Sequence, residues 1–293
     1  MKIAALGAGL MGSQIGVEYA VGGHDVAFVV RDIEQSRARV NHALALVETA
    51  GLADAASVAA ARDRIAYLTD PEAIAHDTEI VVENVAEDLD LKGELLRIAG
   101  SVAPEAVLAS NTSSLPIKKI GIACGFPDRV IGTHYWNPPL LMPLVEIILT
   151  EETKPGIEQS VISALRAMGK RPVVVNRDVP GFVWNRLQFA LLREAVWIVE
   201  NGVASPEVVD EIARDGLARR WRYTGPFQTA ALGGAHNFQR ISSNLWPVLS
   251  DADGVEELAR MLPGTPDELK PLRDRRDRGL LSDLHRDRED TDR

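Results

Sequence analysis

A chain of 293 residues with 46% hydrophobic content can bury one large core or two smaller ones without help from disulfides or metals. Its net charge of −10 argues against a nucleic-acid surface, whose electrostatic footprint is a basic face, and its single cysteine, Cys124, rules out an intrachain disulfide. No apolar run approaches the roughly 18 residues a membrane helix needs, and the chain opens directly on MKIAALGAG, so a cytoplasmic protein without membrane or nucleic-acid partners is expected.

The opening segment, KIAALGAGLMGSQIG, puts a β-type run before Gly7, Gly9 and Gly12 and a helix-type pattern after them. This is GxGxxG in its strand–turn–helix context. Gly7 permits the tight turn, Gly9 lets a pyrophosphate approach the backbone, Gly12 lets helix and strand pack closely, and the helix N-terminus offers free N–H groups to the anion. Gly7, Gly9, Leu10, Met11 and Gly12 are therefore the expected cofactor-binding turn. The next strand, HDVAFVV, ends on Val30, where a chain built for NAD carries an acid for the ribose 2′-hydroxyl. Arg31 follows it, with Arg37 and Arg39 on the next helix, and an Arg just past the strand can pair with a 2′-phosphate. The cofactor is thus NAD or NADP, with NADP expected to be accepted at least as well. The alternative reading of this stretch is a solvated helix start capped by Asp32.

Helix-type and strand-type runs then alternate. A helix is expected over 33–50, strands at RIAYL and TEIVVENV, a helix at LDLKGELLRIAGSV, and strands near AVLAS and RVIGTHY. LVEII and PVVVN, on either side of a helix at 155–168, complete a doubly wound parallel sheet that closes near residue 179. From Pro180 the character changes. GFVWNRLQFALLREAVWIVENG reads as one long amphipathic helix, followed by further helical segments without strand-type runs. The expected organisation is an α/β Rossmann domain over 1–179 and an all-helical substrate-binding and dimerisation domain over 180–293. The tail from 271 mixes basic and acidic side chains and reads as a solvated helix or frayed end.

Within this frame THYWNPPLLMPLVEI stands out, because His134 and Glu146 lie on two strand-type runs separated by an Asn-Pro-Pro corner. Either they are incidental polar residues or they are a general base and its orienting carboxylate. Pro138 and Pro139 cannot extend a strand, so the chain turns and Glu146 can return beside His134. An imidazole suits proton transfer near neutrality, and a carboxylate on its second nitrogen fixes the tautomer and stabilises the imidazolium.

GAGLMG, VVENVAEDLDLK, SNTSSLPI, HYWNPP with PLVEI, and DVPGFVWNR occur in the order and at about the spacing of the 3-hydroxyacyl-CoA dehydrogenase family, which the chain resembles over residues 1 to about 235. That family includes lambda-crystallin (L-gulonate 3-dehydrogenase) and L-carnitine dehydrogenase. The resemblance implies an NAD(P)-dependent oxidoreductase that converts a secondary 3-hydroxyl to a 3-oxo group, and a homodimer. It implies that His134 takes the hydroxyl proton with Glu146 as its partner, that Ser113 hydrogen-bonds the reacting oxygen, that Asn185 donates an amide on the substrate side, and that Glu87, Lys92 and Asn137 contact the cofactor. Read without it, Ser113 is a turn or cap residue, Asn185 a helix-surface amide and Lys92 a helix-surface lysine. A crystallin-like binding protein without catalysis is the alternative of another class.

The substrate divides the family. Acyl-CoA enzymes place lysines for the CoA phosphates in the helix region after the second strand, whereas residues 33–91 here contain none. GLARRWRYTGPF instead sets Arg220 and an aromatic residue shortly before Gly225 and Pro226, similar to the members that act on free carboxylates. A guanidinium binds carboxylate bidentately, so a small free 3-hydroxy acid is expected, with an acyl-CoA thioester as the alternative. Arg219, Arg220 and Arg222 could equally be surface charges.

Overall fold

The computed structural model describes residues 1–254, 258–261 and 265–291. The chain divides into two compact units, Met1–Val183 together with the tail from Pro271, and Trp184–Lys270. The boundary falls a few residues past the expected one. The tail belongs with the first unit, so the helical unit is shorter than the expected 180–293.

The first unit runs β1 (Lys2–Leu6), α1 (Leu10–Val21), β2 (Asp25–Val29), α2 (Ile33–Thr49), α3 (Ala55–Asp63), β3 (Ile65–Leu68), β4 (Ile80–Glu83), α4 (Leu89–Val102), β5 (Val107–Ser110), α5 (Ile117–Cys124), β6 (Val130–Tyr135), β7 (Leu144–Ile148), α6 (Glu158–Ala167) and β8 (Arg171–Val175). The strands form one sheet in the order β3-β2-β1-β4-β5-β6-β7-β8. The first six positions follow the dinucleotide-binding order, which reverses between β1 and β4 and opens a crevice at the carboxyl ends of those strands. β6 and β7 pair antiparallel while β7 and β8 pair parallel, so the sheet is mixed where a wholly parallel one was expected.

Burial explains these elements. β4 and β5 are buried at every position, as strands covered on both faces must be. Successive residues of β1 feed opposite layers: Ile3 and Ala5 join a core with Phe28, Val40 and Leu44, while Ala4 and Leu6 join Leu96, Ile117 and Ile120. Three helices start on aspartate caps, Asp32 accepting from Gln35 N, Asp54 from Ser57 N and Asp88 from Leu91 N. Helices α3 and α5 were not expected, α3 being a short Ala-rich segment and α5 containing Gly121 among isoleucines.

The second unit contains α7 (Trp184–Glu200), α8 (Pro206–Glu211), which runs through a π-helical stretch at Ile212–Ala218 into α9 (Arg219–Trp221), then α10 (Pro226–Leu232), α11 (Ala235–Leu245) and α12 (Leu258–Met261). The last helix, α13 (Pro266–Thr291), confirms the helical reading of the tail as far as it is described; residues 292–293 lie outside the described residues. Within the first unit His285 Nε2 meets Ala50 O, the C-cap carbonyl of α2, at 3.1 Å. No described helix is long and apolar enough to cross a membrane.

Candidate active site

The glycine turn has the geometry its spacing predicts. Gly7 has φ +89°, a region open to glycine, and a Cβ on Gly12 would lie 2.2 Å from Gly7 O, so only glycine lets α1 pack this closely on the turn. Gly9 is the N-cap of α1 and has no side-chain cap bond. A Cβ there would meet nothing within 4 Å, so the space above the first turn is open. Leu10 is exposed, Met11 is half-buried, and the first turn contains no acid. A free helix N-terminus without nearby negative charge, under an open space, fits the pyrophosphate of a dinucleotide.

At the end of β2, Val30 is buried and donates its N–H to Leu68 O. Arg31 is exposed, and the Arg37 guanidinium sits over the Tyr67 ring at 5.3 Å. Asp32 is the helix cap that the alternative reading supposed, which does not conflict with an anion-binding role for its neighbour.

Register brings the pair at the opposite end of the sheet together. His134 faces Glu146 directly across the β6–β7 ladder, so both side chains leave the same face, and His134 Nδ1 lies 2.7 Å from Glu146 Oε2. Both residues are buried. With Nδ1–H donating to the Glu146 carboxylate, Nε2 is left as the acceptor. Glu146 Oε1 accepts the Val183 backbone N–H at 3.1 Å, and the buried Phe182 ring packs edge-on against the imidazole at 5.4 Å. The turn between the strands is held from behind. Lys170 Nζ donates to Pro139 O at 2.6 Å and Met142 O at 2.9 Å, and pairs with Glu18 of α1 at 2.7 Å. Asn137 is exposed at the start of this turn.

Ser113 lies exposed on the loop after β5. The β5–β6 ladder ends at Ser110, and Asn111 extends the link by accepting Tyr135 N–H on its Oδ1 at 2.9 Å, tying the Ser113 loop to the strand that carries His134. Glu87 Oε1 accepts from Thr112 Oγ1 (2.6 Å), Ser113 N (3.1 Å), Ser114 N (2.9 Å) and Ser114 Oγ (2.9 Å). Burial pushes the Glu87 carboxyl up, but the Thr112 and Ser114 hydrogen bonds and the Lys92 charge outweigh it and bring it down to about 2. Since the folded value lies below the ordinary carboxylate value, the stability this contact contributes is present above the ordinary value and is lost as pH falls toward 2.

Lys92 is no helix-surface lysine. It is 1% exposed, with Nζ 2.8 Å from Glu83 Oε1 and 3.3 Å from Glu87 Oε2. Glu83, fully buried at the end of β4, also accepts Val85 N and Ser110 Oγ. The sequence reading missed Glu83, Phe182 and Lys170. A signal for Glu83 existed, because a carboxylate ending an otherwise apolar strand is rarely buried without a partner. Asn185 is half-buried in the first turn of α7, and Arg220 is exposed on α9, both in the helical unit.

Comparison with known proteins agrees with this geometry. Residues 2–179 match the profile of the 3-hydroxyacyl-CoA dehydrogenase NAD binding domain, and residues 181–262 match that of the 3-hydroxyacyl-CoA dehydrogenase C-terminal domain. The 5-formyl-3-hydroxy-2-methylpyridine 4-carboxylate 5-dehydrogenase of Mesorhizobium japonicum is 32% identical over 303 residues, covering 96% of each chain. The crystal structure of such a dehydrogenase, described as an NAD+ dependent dismutase, superposes with a TM-score of 0.84 at 30% identity, again over 96% of each chain. L-carnitine dehydrogenase of Burkholderia mallei is 36% identical over 92% of this chain and 86% of its own. A probable 3-hydroxybutyryl-CoA dehydrogenase of Deinococcus radiodurans is 37% identical over 74% of this chain and 78% of its own. The chain belongs to the 3-hydroxyacyl-CoA dehydrogenase family. It is an NAD(P)-dependent dehydrogenase acting on CH–OH groups.

Removing one member of the buried pair leaves the other charge uncompensated. Lys92→Met is therefore expected to destabilise the fold by about 3–5 kcal/mol, and adding Glu83→Gln to recover part of the loss. Chemical denaturation of the single and double variants measures both.

Proposed function

We propose that this member of the 3-hydroxyacyl-CoA dehydrogenase family oxidises the secondary hydroxyl of a small free 3-hydroxy acid. The carrying observation is the buried His134–Glu146 pair, near the carboxyl end of β6 as the dinucleotide turn is at the carboxyl end of the parallel β1. In this reading Nε2 takes the hydroxyl proton while Glu146 stabilises the resulting imidazolium. Ser113 Oγ donates to the reacting oxygen and the Asn185 amide assists it, both acting through position and dipole. A bound NAD(P) supplies the acceptor for the hydride that leaves the same carbon. Glu87, Lys92 and Asn137 are the cofactor-side residues by position, with Lys92 held between two carboxylates.

Three observations support a free acid. Residues 33–91 contain no lysine for CoA phosphates. The two relatives that match at 96% and 92% of this chain are named for small substrates, a pyridine carboxylate and L-carnitine. Arg220 is exposed and, among the described residues, enters no ion pair, which leaves its guanidinium available to a carboxylate. The helical unit also exposes Leu187 (60%) and Leu191 (41%) one turn apart on α7, with Phe189 (55%) and Trp197 (38%) on another side of it, apolar surface of the kind that a second copy of the chain would cover, so we take the enzyme to be a homodimer. Sedimentation at the 31.9 kDa monomer mass overturns that assembly.

His134→Ala is expected to lower kcat by about 10²- to 10⁴-fold with cofactor affinity nearly unchanged, and Glu146→Gln to do the same less severely. Near-normal turnover in the His134 variant would remove the base from the mechanism. With Val30 offering no acid and Arg31 exposed beside it, NADP is expected to be used at least as well as NAD. Steady-state kinetics with both cofactors test this, and a strong NAD preference that survives Arg31→Ala refutes it. Arg220→Met is expected to raise KM for a free acid about tenfold or more and to matter little for a matched CoA thioester. Activity on thioesters alone, untouched by that change, returns the enzyme to the acyl-CoA class.

A further inference from the structure

The loop that carries Ser113 has no regular structure, and Ser113 itself is exposed, yet the proposed chemistry needs its hydroxyl within a few tenths of an ångström of one position. One carboxylate oxygen meets it at three consecutive residues. Glu87 Oε1 gathers four donors from three consecutive residues, Thr112, Ser113 and Ser114, at 2.6–3.1 Å. Two of the four are the backbone N–H groups of Ser113 and Ser114, so the contact fixes the main chain at Ser113 as well as the side chains around it. The other oxygen, Oε2, lies 3.3 Å from Lys92 Nζ, and Lys92 is held in turn by Glu83 at the end of β4. An unbroken line of charge-assisted contacts thus runs from the sheet to Ser113.

We propose that Glu87 is a positioning residue for the Ser113 hydroxyl, acting through the backbone of the Thr112–Ser114 loop. The kinetic part of this role rests on the function proposed for Ser113. The geometry distinguishes it from a residue that only contacts cofactor, because Oε1 is occupied by the loop and Oε2 alone remains beside Lys92. Glutamine preserves an acceptor oxygen at the same reach, so Glu87→Gln keeps the loop contacts that Glu87→Ala removes.

The test has a structural arm and a kinetic arm. Amide hydrogen exchange in the full chain is expected to show protected Ser113 and Ser114 N–H groups. Glu87→Ala speeds their exchange about tenfold or more, and Glu87→Gln does so far less. Titration of NAD+ against tryptophan fluorescence in the same variants reads the cofactor-side role of Glu87 separately from its hold on the loop. In the kinetic arm, with 3-hydroxybutyrate or 3-hydroxybutyryl-CoA as probe, Glu87→Ala lowers kcat about tenfold or more in the wild-type background and has little further effect once Ser113→Ala is present. Unchanged exchange at Ser113 and Ser114 in Glu87→Ala overturns the inference, as does a tenfold loss of NAD+ affinity with exchange unaltered, which would make Glu87 a cofactor contact only. A Ser113→Ala variant with normal kcat fails the proposed role of Ser113 instead, and the exchange arm still decides whether Glu87 orders the loop.

Discussion

A carboxylate buried at the middle of the sheet is the constraint around which this site is arranged. Glu83 ends β4, opposite Leu6 of β1 on one side and Ser110 of β5 on the other. Leu6 leads into the glycine turn, and Ser110 leads into the Ser113 loop. An ionised group at 0% exposure is tolerable only when paired and fully hydrogen-bonded. Lys92, Val85 N and Ser110 Oγ meet that demand. Each of those partners is thereby pinned, and so are the starts of the loops that follow. The Lys92 stem spans from α4 back to the sheet, which also fixes where that helix begins relative to the crevice.

The catalytic end obeys a different rule. Pairing in parallel strands needs a crossover of a dozen or more residues, whereas an antiparallel return can be short. The connection at residues 136–143 is too short for a crossover, so β7 must reverse direction beside β6. Direct opposition of His134 and Glu146 follows from that reversal and from register. Lys170 then ties the connecting turn to α1 through Glu18, so the helix that begins at the glycine turn and the turn that ends the base's strand share one anchor.

The two halves of the site therefore depend on buried charge in complementary ways. Glu83–Lys92 carries order outward to Glu87 and the Ser113 loop, and Glu146 carries order inward to the imidazole. Asn111 joins them by taking the Tyr135 N–H where the β5–β6 ladder stops. None of these side chains reaches far into solvent except Glu87, whose exposure is 39%.

Local chemistry decided much of this protein from sequence alone. Gly7, Gly9 and Gly12 admit few other turns, because φ at Gly7 and the approach of Gly12 to Gly7 O exclude a side chain. The period of the apolar residues set most strands and long helices, and two prolines between strand-type runs were enough to return Glu146 to His134. Short helices such as α3 and α5 escaped because a helix of eight or nine residues is stabilised by the layer it packs on more than by its own propensity. The reversed direction of β7 and β8, the burial of Lys92 against Glu83, the Phe182 ring against the imidazole and the return of the tail to the first unit all join residues distant in sequence. Contacts of that kind depend on which surfaces the completed sheet leaves to be covered, and that is settled only when the whole chain has packed.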